Sequence, residues 1–260
     1  MSIHVDDAGA GMPIFMLHGI GGSADTFAPQ FAGMTDLRVL AWDAPGYGRS
    51  ADPAGPMSLD DYADVAAAII RERCGDGGAH VLGMSWGGVI ATRLALKHPG
   101  LTRSLILGGA SVGSGATEAG SAAMRNRAAE LADLGPAAFA AKRAPRLIAP
   151  DSTAEQVAAA TRLMAESIRL PGYGHAAESM AATDHTADLA KIACPALALC
   201  GDLDAVTGVD ASQALAGGIP NGVFVTIRGG GHLVNQECPD AFNAWTESFV
   251  QISERLREFQ

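Results

Sequence analysis

His80-Val81-Leu82-Gly83-Met84-Ser85-Trp86-Gly87-Gly88-Val89-Ile90 is the stretch whose reading decides the fold. A short apolar run reaches Met84. A helical pattern then starts at Trp86, with Val89, Ile90 and Leu94 on one stripe, Arg93 and Lys97 off it, and Pro99 as its stop. Ser85 stands at the junction. Gly83-Met84-Ser85-Trp86-Gly87 matches the pattern G-x-S-x-G, in which small neighbours let a serine occupy a sharp strand-to-helix turn with its hydroxyl exposed above the sheet. The same pattern recurs at Gly109-Ala110-Ser111-Val112-Gly113, but Gly113-Ser114-Gly115 follows and no helix begins there, so Ser111 reads as a loop serine.

Outward from this junction, short apolar runs alternate with helical segments, which predicts βα units around a mainly parallel sheet flanked by helices. Strands are expected over 13–18, 37–43, 80–84, 101–108, 195–200 and 222–227, apolar on both faces because helices cover both sides. Ser58-Leu59-Asp60-Asp61-Tyr62 opens a helix with a capping serine and two aspartates at its positive end, and Gly75 closes it. The alternation breaks between Gly113 and Asp188, a stretch rich in Ala, Arg, Glu and Met at helical spacing. The expected organisation is therefore an α/β core over 1–112 and 190–260, interrupted by a helical segment over 113–189.

Composition bounds the function. Lys and Arg total 18 against 28 Asp and Glu, a formal charge of −10, which argues against nucleic acid or an anionic membrane surface as a partner. No apolar run reaches the roughly 18 residues of a membrane span. Met1-Ser2-Ile3-His4-Val5-Asp6-Asp7 lacks the basic-then-apolar pattern of a secretory leader. Cys74, Cys194, Cys200 and Cys238 form no CxxC pair or zinc-finger spacing and read as reduced thiols in a cytoplasmic protein.

A serine hydroxyl needs a base. His232 in Gly229-Gly230-Gly231-His232, after the last expected strand, is the candidate, while His4, His80, His98, His175 and His185 read as surface or satisfied core residues. The base in turn needs a carboxylate to fix its tautomer. Asp202 and Asp204 both follow the strand ending at Cys200; Asp204 is preferred and Asp202 is the alternative, better suited to capping the loop. Acyl transfer also needs donors for a developing oxyanion. His18-Gly19-Ile20-Gly21-Gly22 follows the first apolar strand, and the expected donors are the backbone N–H groups of Ile20 and Trp86. A phosphate loop is disfavoured because no Lys-Ser/Thr follows the glycines.

Taken together, His18-Gly19, Asp43-Ala44-Pro45-Gly46-Tyr47-Gly48-Arg49-Ser50, the Ser85 turn, Gly201-Asp202-Leu203-Asp204 and Gly231-His232 resemble the α/β-hydrolase family, in the family's order and over nearly the whole chain. The resemblance supports Asp204 as the acid, makes 43–50 a structural turn beside the site, and implies that 113–189 is a helical cap over the pocket. Gly208 departs from it, because many relatives have proline there. A serine in place of an aspartate argues against dehalogenase or epoxide hydrolase chemistry, whereas cofactor-free dioxygenase and perhydrolase activities share a similar framework. The expected function is hydrolysis of a small ester or lactone through an acyl-enzyme on Ser85. Cleavage of a C–C or enamide-type bond in a ring-opened, carboxylate-bearing intermediate is the alternative, and a slow ligand receptor is the reading from another class.

The expected partner is a small-molecule substrate, with no metal or organic cofactor implied. Trp86, Met84, Met124, Met164 and Met180 are candidates for an apolar pocket, though such residues are more often core. Arg125, Arg127, Lys142, Arg143, Arg146, Arg162 and Arg169 lie in the helical segment, where acids outnumber them. Most are expected on solvated helix faces, with one arginine as a candidate for a substrate carboxylate.

Overall fold

The computed structural model describes residues 1–259, and among them the chain builds a seven-stranded sheet in the order β1-β3-β2-β4-β5-β6-β7. The strands are β1 (Val5–Ala8), β2 (Met12–Leu17), β3 (Leu37–Trp42), β4 (Ala79–Met84), β5 (Thr102–Gly108), β6 (Ala196–Gly201) and β7 (Gly222–Ile227). All pairings are parallel except that of β1 with β3. The helices are α1 (Ala28–Gly33), α2 (Leu59–Cys74), α3 (Trp86–Lys97), α4 (Glu118–Arg143), α5 (Ala154–Ser167), α6 (Gly172–Ala181), α7 (Gly208–Gly218), α8 (Val234–Glu237) and α9 (Pro239–Arg257).

The six expected strands form within a residue of their anticipated ends. β1 was not anticipated: Val5-Asp6-Asp7-Ala8 is half-buried to exposed at the sheet edge and carries no apolar run to read. β7 is the other edge, and Val223 is 50% exposed, so this strand is not covered on both faces as expected.

Side-chain alternation along the inner strands sorts the core into two layers. Phe15, Leu17, Val81, Leu105 and Leu107 face one layer with α2, α3 and α7; Ile14, Met16, Leu82, Ile106 and Leu199 face the other with Phe242, Phe249 and Val250 of α9. The cap of α2 forms as the sequence suggests: Ser58 Oγ accepts from the Asp61 N–H at 3.2 Å, and the Asp61 carboxylate accepts from the Ser58 N–H at 2.8 Å.

Between β5 and β6 the chain is helical, with α4 broken at Gly135-Pro136, where Gly135 takes φ +71°. This insertion is anchored on the turn after β3. The Gly48 N–H donates to the Ser167 carbonyl at 2.9 Å, and Arg169 donates to Asp52 and to the Gly48 carbonyl, each at 2.9 Å. The turn itself is organised by Asp43, whose buried carboxylate accepts from the Ala24 N–H, the Arg49 N–H and the Arg49 Nε, each at 2.8 Å. Burial opposes that charge, but the Arg49 guanidinium and the backbone donors outweigh it and hold the Asp43 carboxyl below its ordinary range.

Three histidines, His18, His80 and His185, are buried without a charge. Burial lowers His18 to about 4, His80 to about 3 and His185 to about 4. The unfolded chain binds protons at these residues below about pH 6.5, while the folded chain does not until about pH 4 or below. Stability therefore falls as pH drops through that window, by about 1.4 kcal/mol per pH unit for each histidine. Urea midpoints measured from pH 7 to pH 5 should decline accordingly, and a flat profile would contradict buried neutral imidazoles at these positions.

Candidate active site

Ser85 follows β4 with φ +50° and ψ −114°, the one left-handed non-glycine residue among those described. Its N–H donates to the Gly108 carbonyl of β5 at 2.8 Å, and its carbonyl starts α3. The glycines around it answer to contact. A Cβ on Gly83 would fall on the Gly87 carbonyl, one on Gly87 would fall on the Leu17 carbonyl, and one on Gly88 would meet the Ala110 methyl. The G-x-S-x-G spacing is thus the footprint of backbone packed against backbone beneath a strained serine.

His232 reaches the same place from the loop after β7. It is buried, and its Nδ1 lies 2.9 Å from Asp204 Oδ2. Asp204 Oδ1 accepts from the Val206 N–H at 2.8 Å and the Thr207 N–H at 3.2 Å, and the Thr207 hydroxyl sits 2.8 Å from Oδ2. Burial would raise the Asp204 carboxyl, but His232 and these donors bring it down to about 2, so it is ionised across the ordinary pH range. The ionised acceptor keeps the Nδ1 proton on its side of the ring and leaves Nε2 free to act as a base. Asp202 is exposed and accepts from the Gly229 N–H at 2.7 Å, the loop-capping role anticipated for it.

The loop after β2 is set by His18. Its Nε2 accepts the Ala44 N–H at 3.0 Å, which leaves Nδ1 protonated and donating to the Gly19 carbonyl at 2.8 Å. Because the Gly19–Ile20 peptide is trans, holding its carbonyl on one side turns the Ile20 N–H to the other. Neither the Ile20 nor the Trp86 N–H is taken by an acceptor among the described residues. An N–H in the first turn of a helix has no partner within that helix.

Ser85, His232, Gly19 and Ile20 line one cavity of about 530 Å³, closed on its other side by residues of the insertion, among them Leu147, Ile148, Leu163, Met164 and Tyr173. Met84 and Met164 face this cavity, whereas Trp86, Met124 and Met180 are core. The Trp86 ring packs on Tyr62 and Tyr47, and its Nε1 donates to Ser179 Oγ of α6 at 3.0 Å. Ser111 lies in the loop after β5, outside the cavity wall. Among the cationic residues of the insertion, Arg127, Arg143 and Arg146 line the cavity; Arg125 pairs with Glu178 and Arg169 with Asp52, while Lys142 pairs with Glu130. Arg162 stands apart from the cavity wall.

The chain matches the Alpha/beta hydrolase family over residues 14–245. It belongs to that family. This hydrolase is 31% identical over 241 residues to a protein of Azorhizobium caulinodans provisionally named carbamate hydrolase RutD, covering 90% of this chain and 89% of the relative. It is 26% identical over 254 residues to the (E)-2-((N-methylformamido)methylene)succinate hydrolase of Acinetobacter baylyi, covering 94% of each chain. The malate-bound structure of a thermophilic esterase from Thermogutta terrifontis superposes with a TM-score of 0.88 at 26% identity, covering 96% of this chain and 93% of that one. No helix of the hydrolase is long and apolar enough to cross a membrane among the described residues.

Three residues that shape the site escaped the sequence reading. His18 was read for the backbone after it, and its imidazole finds a purpose only against Ala44, which follows another strand. Thr207 closes over Asp204 from three residues on. Glu237 accepts from the Gly231 N–H at 3.0 Å and the Ala149 N–H at 2.6 Å, binding the His232 loop to the insertion across a distance in sequence that no local pattern marks.

The glycine contacts of the hydrolase make a matched prediction. Gly83→Ala and Gly87→Ala should each destabilise it by at least about 2 kcal/mol, as backbone overlap forces the turn apart. Gly217→Ala, at a helical position with open space, should gain about 0.5–1 kcal/mol. Equal urea midpoints for the three variants would refute the packing argument.

Proposed function

We propose that the protein is a serine hydrolase of small esters or lactones working through an acyl-enzyme on Ser85. The observation that carries this reading is that Ser85 and His232 line one cavity while the buried Asp204 carboxylate holds the far nitrogen of the His232 ring. The likeness to the Thermogutta terrifontis esterase supports the choice of bond, and a cavity of about 530 Å³ suits a small substrate.

In this reading Ser85 Oγ attacks the carbonyl carbon as its proton passes to His232 Nε2, forming a tetrahedral adduct. The negative oxygen is received by the Ile20 and Trp86 N–H groups, preorganised donors that need no rearrangement when the charge develops. His232 then gives its proton to the leaving oxygen as the carbonyl re-forms. A water, deprotonated by His232, attacks the acyl-enzyme, and the collapse of the second adduct returns the proton to Ser85 and releases the acid. The segment 113–189 serves as a cap, with 1–112 and 190–260 as the core beneath it.

A second reading follows from the relative in Acinetobacter baylyi, whose named substrate is an N-methylformamido-methylene succinate. The same residues would then open a C–N or C–C bond in a ring-opened acid. Proton release over a panel of short esters, lactones and ring-opened keto or enamide acids decides between them.

Ser85→Ala should lower kcat by a factor on the order of 10⁴ or more on whichever class turns over. Asp204→Asn should lower it on the order of 10⁴-fold, by letting the imidazole adopt the wrong tautomer. Asp202→Asn should leave kcat within a few-fold, and an equal loss in the two aspartate variants would overturn the assignment of the acid. Asp204 should contribute no acid-side loss of activity above about pH 4, because its carboxyl is held at about 2.

A further inference from the structure

The chain carries a formal charge of −10, yet no aspartate or glutamate lines the cavity, and three arginines do. Arg143 is committed: it pairs with Glu130 and lies over the Phe139 ring, 4.9 Å from its centroid. Arg127 and Arg146 have no carboxylate partner among the described residues, although acids outnumber basic residues in the chain. Arg127 is half-buried beside the Tyr173 hydroxyl, and Tyr173 is braced edge-on by Phe139 at 5.3 Å. Gln236, four residues after His232, lines the same cavity, and its buried Nε2 has no acceptor. A half-buried guanidinium without a counter-ion at Arg127, an exposed one at Arg146 and a buried amide donor without an acceptor, all lining one largely apolar cavity, make a site suited to an anion that arrives from outside.

We infer that Arg127 and Arg146, with the Gln236 amide, hold a free carboxylate of the substrate, so that the acyl compounds cleaved at Ser85 are monoesters or half-amides of small dicarboxylic acids. The inference rests on the serine hydrolase reading for the bond that is cleaved, but the anion site stands on its own geometry. A carboxylate is proposed because a guanidinium fork matches its two oxygens in a plane, and inorganic phosphate, which a fork also fits, is the competing anion in the test.

The test has a binding arm and a turnover arm. Calorimetric titration of the wild-type protein with glutarate, glutaramide and inorganic phosphate should show binding of glutarate alone. The Arg127→Gln/Arg146→Gln double variant should weaken it about 10- to 100-fold, the range expected for charge-assisted bonds. In the turnover arm, the ratio of kcat/KM for mono-p-nitrophenyl glutarate to that for p-nitrophenyl butyrate should fall by the same factor in the double variant. Arg125→Gln, whose guanidinium pairs with Glu178 away from the cavity, should leave the ratio unchanged. If the double variant does not fold, the two single variants carry the comparison, and Arg127→Lys should lose part of the preference because it keeps the charge without the fork.

Equal binding of glutarate and glutaramide overturns the inference, as do tighter binding of phosphate than of glutarate and an unaltered ratio in a folded double variant. Ser85→Ala separates the two readings. Glutarate binding that persists in Ser85→Ala while both esters go uncleaved supports both, and cleavage that survives in Ser85→Ala refutes the serine reading while leaving the anion site standing. Arginine-dependent binding of glutarate in a wild type that cleaves neither ester would refute the ester reading alone.

Discussion

Ser85 holds a left-handed backbone that costs a residue with a side chain roughly 1–3 kcal/mol, and the rest of the molecule is arranged so that it has no cheaper alternative. β4 enters the turn hydrogen-bonded on both sides, to β2 and to β5. α3 leaves it pressed so close that only glycine fits at 83 and 87. Relaxing Ser85 would mean lifting α3 off the sheet and with it the Trp86 ring, which packs under Tyr47 and Tyr62. The strain is thus held by a large fraction of the core, and it keeps one hydroxyl at the floor of the cavity.

Around that point the electrostatics are divided by depth. Two carboxylates, Asp43 and Asp204, are buried beside the site, and both are satisfied by several donors, so neither is an unpaired charge. Asp43 shapes the turn on which the insertion rests, and Asp204 fixes the His232 ring. His18 is kept neutral by burial, which lets one nitrogen accept and the other donate, the combination needed to orient the peptide after it. Positive charge is confined to the wall contributed by the insertion.

Much of the core was legible because its strands are covered on both faces and read as unbroken apolar runs between glycine-rich loops. Ser85 was legible for a related reason: backbone contact demands glycines at fixed offsets, and fixed offsets survive in a sequence. β1 was hidden because an edge strand needs apolar residues on neither face, and Asp6 and Asp7 spend their side chains on His4, Arg49 and Arg38. The insertion could be recognised as helical, but not which of its arginines face inward. That depends on the break at Gly135 and on contacts with the turn at 43–50, neither of which has a helical period. Gly208 marks a real local difference: it takes φ +77°, a conformation closed to proline, so the acid loop begins α7 along its own path.

Along the polypeptide, the residues gathered at and behind the cavity wall are far apart. Ile20 and Ser85 precede the insertion, Asp204 follows it, and His232 comes near the end, while the sheet sets β4, β5 and β6 side by side. During synthesis Ser85 is therefore made long before His232, and the cavity has no far wall until the insertion has emerged. In the proposed reading Ser85 and His232 meet only once β7 has docked, so turnover reports that the sheet is assembled from β2 to β7.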